Sequence, residues 1–182
     1  MSEQQSPTVM VVDDHPIWRD AVVRDLADDG FNVVATADSV AAARRRAAVV
    51  KPDVVLMDMR LADGNGVQAT TEVLEVSPAT RVLVLSASDE REDVLEAVKA
   101  GATGYLVKSA SKAELSDAVR ATAAGRAVFT PSLAGLVLGE YRRIATSTDS
   151  GPARPSLTER ETEVLRYVAK DCPPSRLPKN SR

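Results

Sequence analysis

The chain has 182 residues, 44% of them hydrophobic, 27% charged and only 3% aromatic, a balance that excludes a disordered chain and leaves Val, Leu and Ala to fill the core. Its length suits one well-buried domain with an appendage, since domains commonly run to about 100–200 residues. The net charge of -3 divides unevenly: residues 1–150 carry 16 basic against 22 acidic side chains and residues 151–182 seven against four, so an acidic body precedes a basic tail.

Cys172 is the single cysteine, which excludes an internal disulfide and a Cys-rich metal site. Residues 1–7 are polar and lack the apolar centre of a signal peptide, and no apolar stretch approaches the length of a membrane span. A cytoplasmic protein with no membrane partner is expected.

Five short apolar runs follow, at residues 9–12, 33–35, 54–57, 82–85 and 105–107. They are mostly continuous rather than alternating, the pattern of strands buried on both faces. After the first run, Pro16 suits an opening helical turn, Trp18, Val22 and Leu26 recur at helical spacing, and Gly30 suits the helix end. Arg44, Arg45 and Arg46 read as a solvated helix face rather than a nucleic-acid patch. Gly64, Gly66 and Ala69 have the spacing of a dinucleotide-binding fingerprint. That fingerprint needs its first glycine directly after a strand and an acidic residue about 20 positions later. Neither condition holds, so the segment reads as a glycine-rich turn before a helix. After the fifth run, Leu115, Ala118, Val119 and Thr122 again recur at helical spacing.

Strand and helix alternating five times predict a doubly wound α/β domain, because each right-handed crossover lays a helix on one face of a parallel sheet. This domain is expected over residues 1–126, followed by a linker with one helix over 127–155. A new helical pattern over 156–170 opens with Thr158 as N-cap and Glu161 completing a capping box. Residues 171–182 contain Pro173, Pro174 and Pro178, so no helix is expected to run through them.

Ligands of open α/β sheets gather beyond the carboxyl ends of the strands. There the sequence puts Asp13 and Asp14 after the first run, Asp58 after the third, Ser86 after the fourth and Lys108 after the fifth. Taken singly, the acid pair could cap the helix at Pro16 and the others could be ordinary strand-end polar residues. Taken together, three carboxylates on one edge repel, which raises some of their pKa values unless a cation intervenes. A hard, oxygen-liganded ion such as Mg²⁺ answers that repulsion, with Lys108 as a partial answer. His15, the single histidine, reads as a helix-start residue rather than a ligand or phospho-donor.

The carriers of a family resemblance are VVDDHP at 11–16, VVLMDMRLADGNG at 54–66, LVLSAS at 83–88 and AGATGYLVKSAS at 100–111. On these the chain resembles response-regulator receiver domains of bacterial two-component systems, of the NarL/FixJ group. LTERETEVLRYVAK at 157–170 resembles the opening helix of a LuxR-type output domain. The resemblance implies a flavodoxin-like five-stranded parallel sheet of order 2-1-3-4-5, followed by a linker helix and a partial all-α helix-turn-helix domain.

It further implies that Asp58 accepts a phosphoryl group from a sensor histidine kinase. Mg²⁺ would be held by Asp14 directly, by Asp13 through a water, by Asp58 and by the backbone carbonyl of Arg60. Lys108 would pair with one phosphoryl oxygen and Ser86 would hydrogen-bond another. Tyr105 would rotate into space left by Ser86, unless it is simply a half-buried strand aromatic with its hydroxyl at the surface. Relatives of this type also imply a homodimer, for which Ala21, Ala113 and Ala121 could lie at a symmetric contact, and promoter DNA as the partner of a full-length form. This chain is not expected to read a promoter, because the second, base-reading helix has no counterpart in residues 171–182.

Ser109 departs from relatives with a proline after the lysine in a cis peptide, which leaves the geometry of this loop open. Two rivals remain. A phosphatase of the haloacid dehalogenase type also uses a strand-end aspartate, but resembles its kin in a second Asp where this chain has Arg60, so a switch rather than an enzyme is expected. A stand-alone interaction module, signalling through protein contacts, is the other.

Overall fold

The computed structural model describes residues 6–87, 91–129, 134–135 and 137–139. The chain alternates β1 (Thr8–Val12), α1 (Pro16–Asp28), β2 (Asn32–Ala37), α2 (Val40–Val50) and β3 (Val54–Asp58). Two short strands, β4 (Arg60–Leu61) and β5 (Gly64–Asn65), lead into α3 (Gly66–Val76). Then come β6 (Arg81–Ser86), α4 (Arg91–Lys99), β7 (Gly104–Val107) and α5 (Lys112–Ala123). The five long strands form one parallel sheet in the order β2-β1-β3-β6-β7, which is order 2-1-3-4-5 among the five expected strands.

Continuous apolar runs serve two cores at once, because successive strand side chains point to opposite faces. Val9, Val11, Val54, Leu56, Leu83 and Leu85 pack on one side with Val22 and Leu26 of α1 and Val119 of α5. Their neighbours Met10, Val12, Val55, Met57, Val82 and Val84 pack on the other with Ala43 of α2, Val73 of α3 and Val94 of α4. Losing one such side chain, as in Leu56→Ala, removes both transfer energy and packing, about 2–5 kcal/mol.

Local chemistry starts and stops α1 where the sequence suggested. Pro16 occupies the first turn of α1, and Gly30 follows it at φ +82, a left-handed conformation that glycine adopts without steric strain. Ser111 and Glu114 form a reciprocal capping box at α5. Their Ser-x-x-Glu spacing is a known N-terminal signature and was readable in the sequence.

Two features were not anticipated. The β4–β5 pair is antiparallel, Arg60 facing Asn65 and Leu61 facing Gly64, and is too short to have an apolar pattern. Beyond α5 the chain returns to the edge of β7, where Tyr105 N–H donates to Val128 C=O at 2.8 Å. Gly104 permits this approach, since a Cβ there would stand 2.8 Å from Val128 Cβ. Residues 134–135 and 137–139 are helical; the rest of the expected linker helix, and the segments 156–170 and 171–182, lie outside the described residues. No helix among the described residues is long and apolar enough to cross a membrane.

Candidate functional site

Four neighbouring strands of the sheet end at one place. The register aligns Val12 of β1 with Met57 of β3, Asp58 with Leu85 of β6, and Ser86 with Val107 of β7. The polar residue ending each run is therefore carried to the same edge: Asp13 and Asp14 past β1, Asp58 at the end of β3, Ser86 at the end of β6 and Lys108 past β7. Main-chain bonds hold these ends, with Asp13 N–H on Ala37 C=O at 3.0 Å, Met59 N–H on Leu85 C=O at 3.2 Å and Lys108 N–H on Ser86 C=O at 2.7 Å.

Asp13 is fully buried, and Asp58 and Ser86 nearly so. Lys108 lies between the two acids, its Nζ 2.6 Å from Asp13 Oδ2 and 3.0 Å from Asp58 Oδ2. The same ammonium sits 4.3 Å from the centre of the Trp18 ring, a cation–π contact that steadies it from the α1 side. Burial raises the Asp58 carboxyl above the ordinary range and the Asp13 charge adds to the rise, while hydrogen bonding and attraction from Lys108 and the Arg60 backbone oppose it. One lysine thus offsets two buried carboxylates only in part.

The remaining negative charge fits a cation. Asp13, Asp14, His15 and Asp58 each offer a ligand atom, all within 4.8 Å of one another. Asp14 Oδ1 is buried and accepts no hydrogen bond, although His15 Nδ1 faces it at 2.7 Å. An oxygen-rich donor set suits a hard divalent ion such as Mg²⁺. Arg60 is exposed, and its backbone N–H donates to the Asp58 carboxylate.

Gly66 is a site residue that the sequence did not single out for this role. Its N–H donates to Met59 C=O at 2.9 Å, and a Cβ on it would collide with the Asp58 carbonyl and stand 2.9 Å from Met59 Cα. The glycine once compared with a dinucleotide fingerprint thus lets α3 approach the backbone of Asp58. Beside it a cleft of about 320 Å³ is lined by Met59, Arg60, Asn65, Ser86, Asp93 and Glu96.

Tyr105 corrects one expectation. It is fully buried, in the cluster that holds Val94, Ala97, Ala102 and Val137, so the alternative with its hydroxyl at the surface does not hold. The returning segment at Val128 and Phe129 covers the edge that would otherwise expose it. The Lys108–Ser109 peptide is trans, as are all described peptides, and Ala110 N–H closes a turn on Val107 C=O at 3.0 Å. His15 does stand at the helix start, as N-cap of α1.

A flavodoxin-like parallel sheet with a buried acid cluster, a strand-end hydroxyl and a lysine at one carboxyl edge defines a receiver. The chain matches the response regulator receiver domain over residues 9–120, and it belongs to that family. It is 42% identical over 172 residues to the probable transcriptional regulatory protein NarL of Mycobacterium tuberculosis, covering 93% of this chain and 77% of that protein. It is 37% identical over 160 residues to the DNA-binding transcriptional activator DevR/DosR of the same organism, covering 86% and 71%. Among solved structures, the receiver domain of the putative NarL of M. tuberculosis superposes with a TM-score of 0.64 at 41% identity over 67% of this chain and 99% of that one. A LuxR-family two-component response regulator from Aurantimonas superposes with a TM-score of 0.67 at 35% identity, over 75% and 99%.

Proposed function

We propose that this response regulator is switched by phosphorylation of Asp58 by a sensor histidine kinase, and that the switch serves transcription. The observation that carries the reading is the Lys108 ammonium held between Asp13 and Asp58 at 2.6 and 3.0 Å in a buried acid cluster. Asp58 is the nucleophile: one carboxylate oxygen forms the bond to phosphorus as the phosphorus–nitrogen bond of the donor phosphohistidine breaks, leaving the electron pair on that nitrogen. Lys108 is already at the acceptor and pairs with an incoming phosphoryl oxygen as a point charge. Ser86 donates its hydroxyl proton to another.

Mg²⁺ would be held by Asp14, Asp58 and the Arg60 carbonyl directly and by Asp13 through a water, and would supply charge neutralisation on the phosphoryl oxygens. Ser86 and Tyr105 lie on adjacent paired strands, so movement of the serine toward the phosphoryl group frees space against which Tyr105 readjusts. The surface of α4, β7 and α5 changes with it. Self-association through α1 and α5, where Ala113 is exposed and Ala21 and Ala121 are half-buried, fits this output, as does a cytoplasmic setting beside the kinase. Arg60, whose guanidinium stays protonated and cannot act as a general acid, supports a switch over a phosphatase.

The first test is incubation with acetyl phosphate and Mg²⁺, borohydride trapping and mass spectrometry. The label is expected on Asp58 and is lost in Asp58→Asn; undiminished labelling of that variant refutes the assignment. The transcription role is tested by titrating phosphorylated protein against a promoter fragment and a shuffled one. The relatives named as transcriptional regulators support DNA as the eventual partner. A clear preference for the promoter fragment supports the transcription role, and equal, strongly salt-dependent binding to both fragments counts against it.

A further inference from the structure

Asp63 is an exposed residue in the turn between β4 and β5, and its carboxylate is engaged far away in sequence. One oxygen accepts the Val40 N–H at 2.7 Å and the other the Ala41 N–H at 3.3 Å. These residues open α2, and the first N–H groups of a helix have no partner within it. Ser39, the N-cap, takes the Ala42 N–H on its hydroxyl at 3.3 Å, so α2 has a cap of its own and Asp63 adds a second from another loop. The positive end of the helix suits a carboxylate, and the bond from Val40 is the main reason that the Asp63 carboxyl stays below the ordinary range. At the foot of the same turn the Arg60 N–H donates to the Asp58 carboxylate.

We propose that Asp63 is a positioning residue for phosphoryl transfer: by tying the β4–β5 turn to α2, it holds the Arg60 N–H on the Asp58 carboxylate and so fixes the direction of the nucleophile. The proposal rests on the reading of Asp58 as the phosphoryl acceptor and adds what aims it. Across the turn Arg60 faces Asn65 and Leu61 faces Gly64, so a shift at the tip is passed to Arg60. Packing already presses the turn on α2: Leu61 is buried in one cluster with Val40, and a Cβ on Gly64 would stand 2.9 Å from Val40 Cγ2. Apolar burial is non-directional, whereas a hydrogen bond weakens steeply with angle. The two bonds to Asp63 therefore set the orientation that packing leaves free.

The start of α2 is itself fixed to the site. It follows β2, whose last residue Ala37 accepts the Asp13 N–H on its carbonyl at 3.0 Å. Contacts thus run in a ring from Asp58 through Arg60, Asp63, Val40 and Ala37 to Asp13, and the nucleophile shares one frame with the acid that faces it. Opening the ring at Asp63 lets Asp58 drift relative to Asp13 and Lys108. A misplacement of about 1 Å at a reacting group costs up to about 100-fold in rate.

The test compares Asp63→Ala and Asp63→Asn with Ser39→Ala, which removes the other cap of α2 without touching the turn. Rates of Asp58 labelling by acetyl phosphate at saturating Mg²⁺ are measured across donor concentrations, with circular dichroism and urea unfolding as checks of the fold. Asp63→Ala is expected to lower the maximal rate at least about tenfold while the half-saturating donor concentration changes by less than about twofold, because the acceptor's direction is altered and not the donor's binding. Asp63→Asn keeps an acceptor oxygen for Val40 and is expected to recover most of the rate. Ser39→Ala is expected to lower the urea midpoint and keep the rate within about twofold of the parent. Amide exchange at Arg60, read without any phosphoryl donor, is expected to quicken in Asp63→Ala and not in Ser39→Ala. An unchanged maximal rate in Asp63→Ala, an equal loss in Ser39→Ala, or an Asp63→Asn variant no faster than Asp63→Ala overturns the positioning role while leaving Asp58 as the acceptor. A parent that takes no label on Asp58 overturns that reading and this inference with it.

Discussion

Two lysines in this domain each face several aspartates, and only one of them makes a chemical site. Lys112, on the flank where α5 meets α1, lies 3.6, 3.6 and 3.4 Å from Asp25, Asp28 and Asp29, and all four side chains are substantially exposed. Lys108 lies 2.6 and 3.0 Å from Asp13 and Asp58, with all three side chains largely out of water. The residue types are the same. In the exposed cluster water and salt screen the charges, so the pairs contribute little. In the buried one the charges have lost most of their hydration, and the carboxylates depend on whatever cation is present.

The carboxyls report this difference in opposite directions. Asp29 is held below the ordinary range chiefly by the hydrogen bond from the Ser116 hydroxyl; burial, the next largest influence, opposes it, and Lys112 and then Arg120 lower it further. Asp58 is pushed above it, because there burial is the largest influence.

Removing each lysine breaks the comparison most directly. Lys108→Met leaves Asp13 and Asp58 facing each other unpaired, and is expected to lower stability by about 3 kcal/mol at neutral pH without divalent ions. Urea unfolding with and without Mg²⁺ checks both halves of the claim: because a ligand that binds only the folded state stabilises it, millimolar Mg²⁺ should restore much of the loss. A lysine deletion without effect in either condition would mean the buried acids are already neutral.

A smaller effect separates the two carboxyls by pH. Asp58 binds its proton more tightly when folded, so its ionisation removes stability as pH rises from the ordinary carboxyl range through its raised pKa. Asp58→Asn should therefore gain on the parent at neutral pH and lose that gain below the ordinary range. Asp29 behaves inversely: its contribution is present above the ordinary range and disappears as pH falls through its lowered pKa. Asp29→Asn should accordingly be less stable than the parent near neutrality and equal to it in acid. Unfolding midpoints measured from pH 3 to 8 without metal, a window spanning the ordinary carboxyl values, test both signs.

The smallest effect belongs to Lys112→Ala, which should leave the urea midpoint within experimental error. A shift as large as that of Lys108→Met would erase the distinction between the two clusters.

Much of the site was legible before any fold was known. Continuous apolar runs mark strands buried on both faces, and a polar residue ending such a run lies at the sheet edge; Asp13, Asp58, Ser86 and Lys108 were all found in this way. The capping box of Ser111 and Glu114 had a spacing that could have been read. Gly66 could not be assigned from spacing alone, because its role depends on the Asp58 and Met59 backbone against which α3 begins. Nor could the cover over Tyr105, which depends on residues from the far end of the domain coming back to the β7 edge.

The sequence by itself determined the alternation of strands and helices, the helix starts at Pro16 and Ser111, and the polar residues at the strand ends, because these follow from periodicity and backbone chemistry over a few neighbouring positions. Tertiary structure alone decided that Lys108 reaches an aspartate 95 positions away and that Tyr105 is wholly buried. Each of these depends on which distant groups share a small volume, and on how much water is left there to screen them.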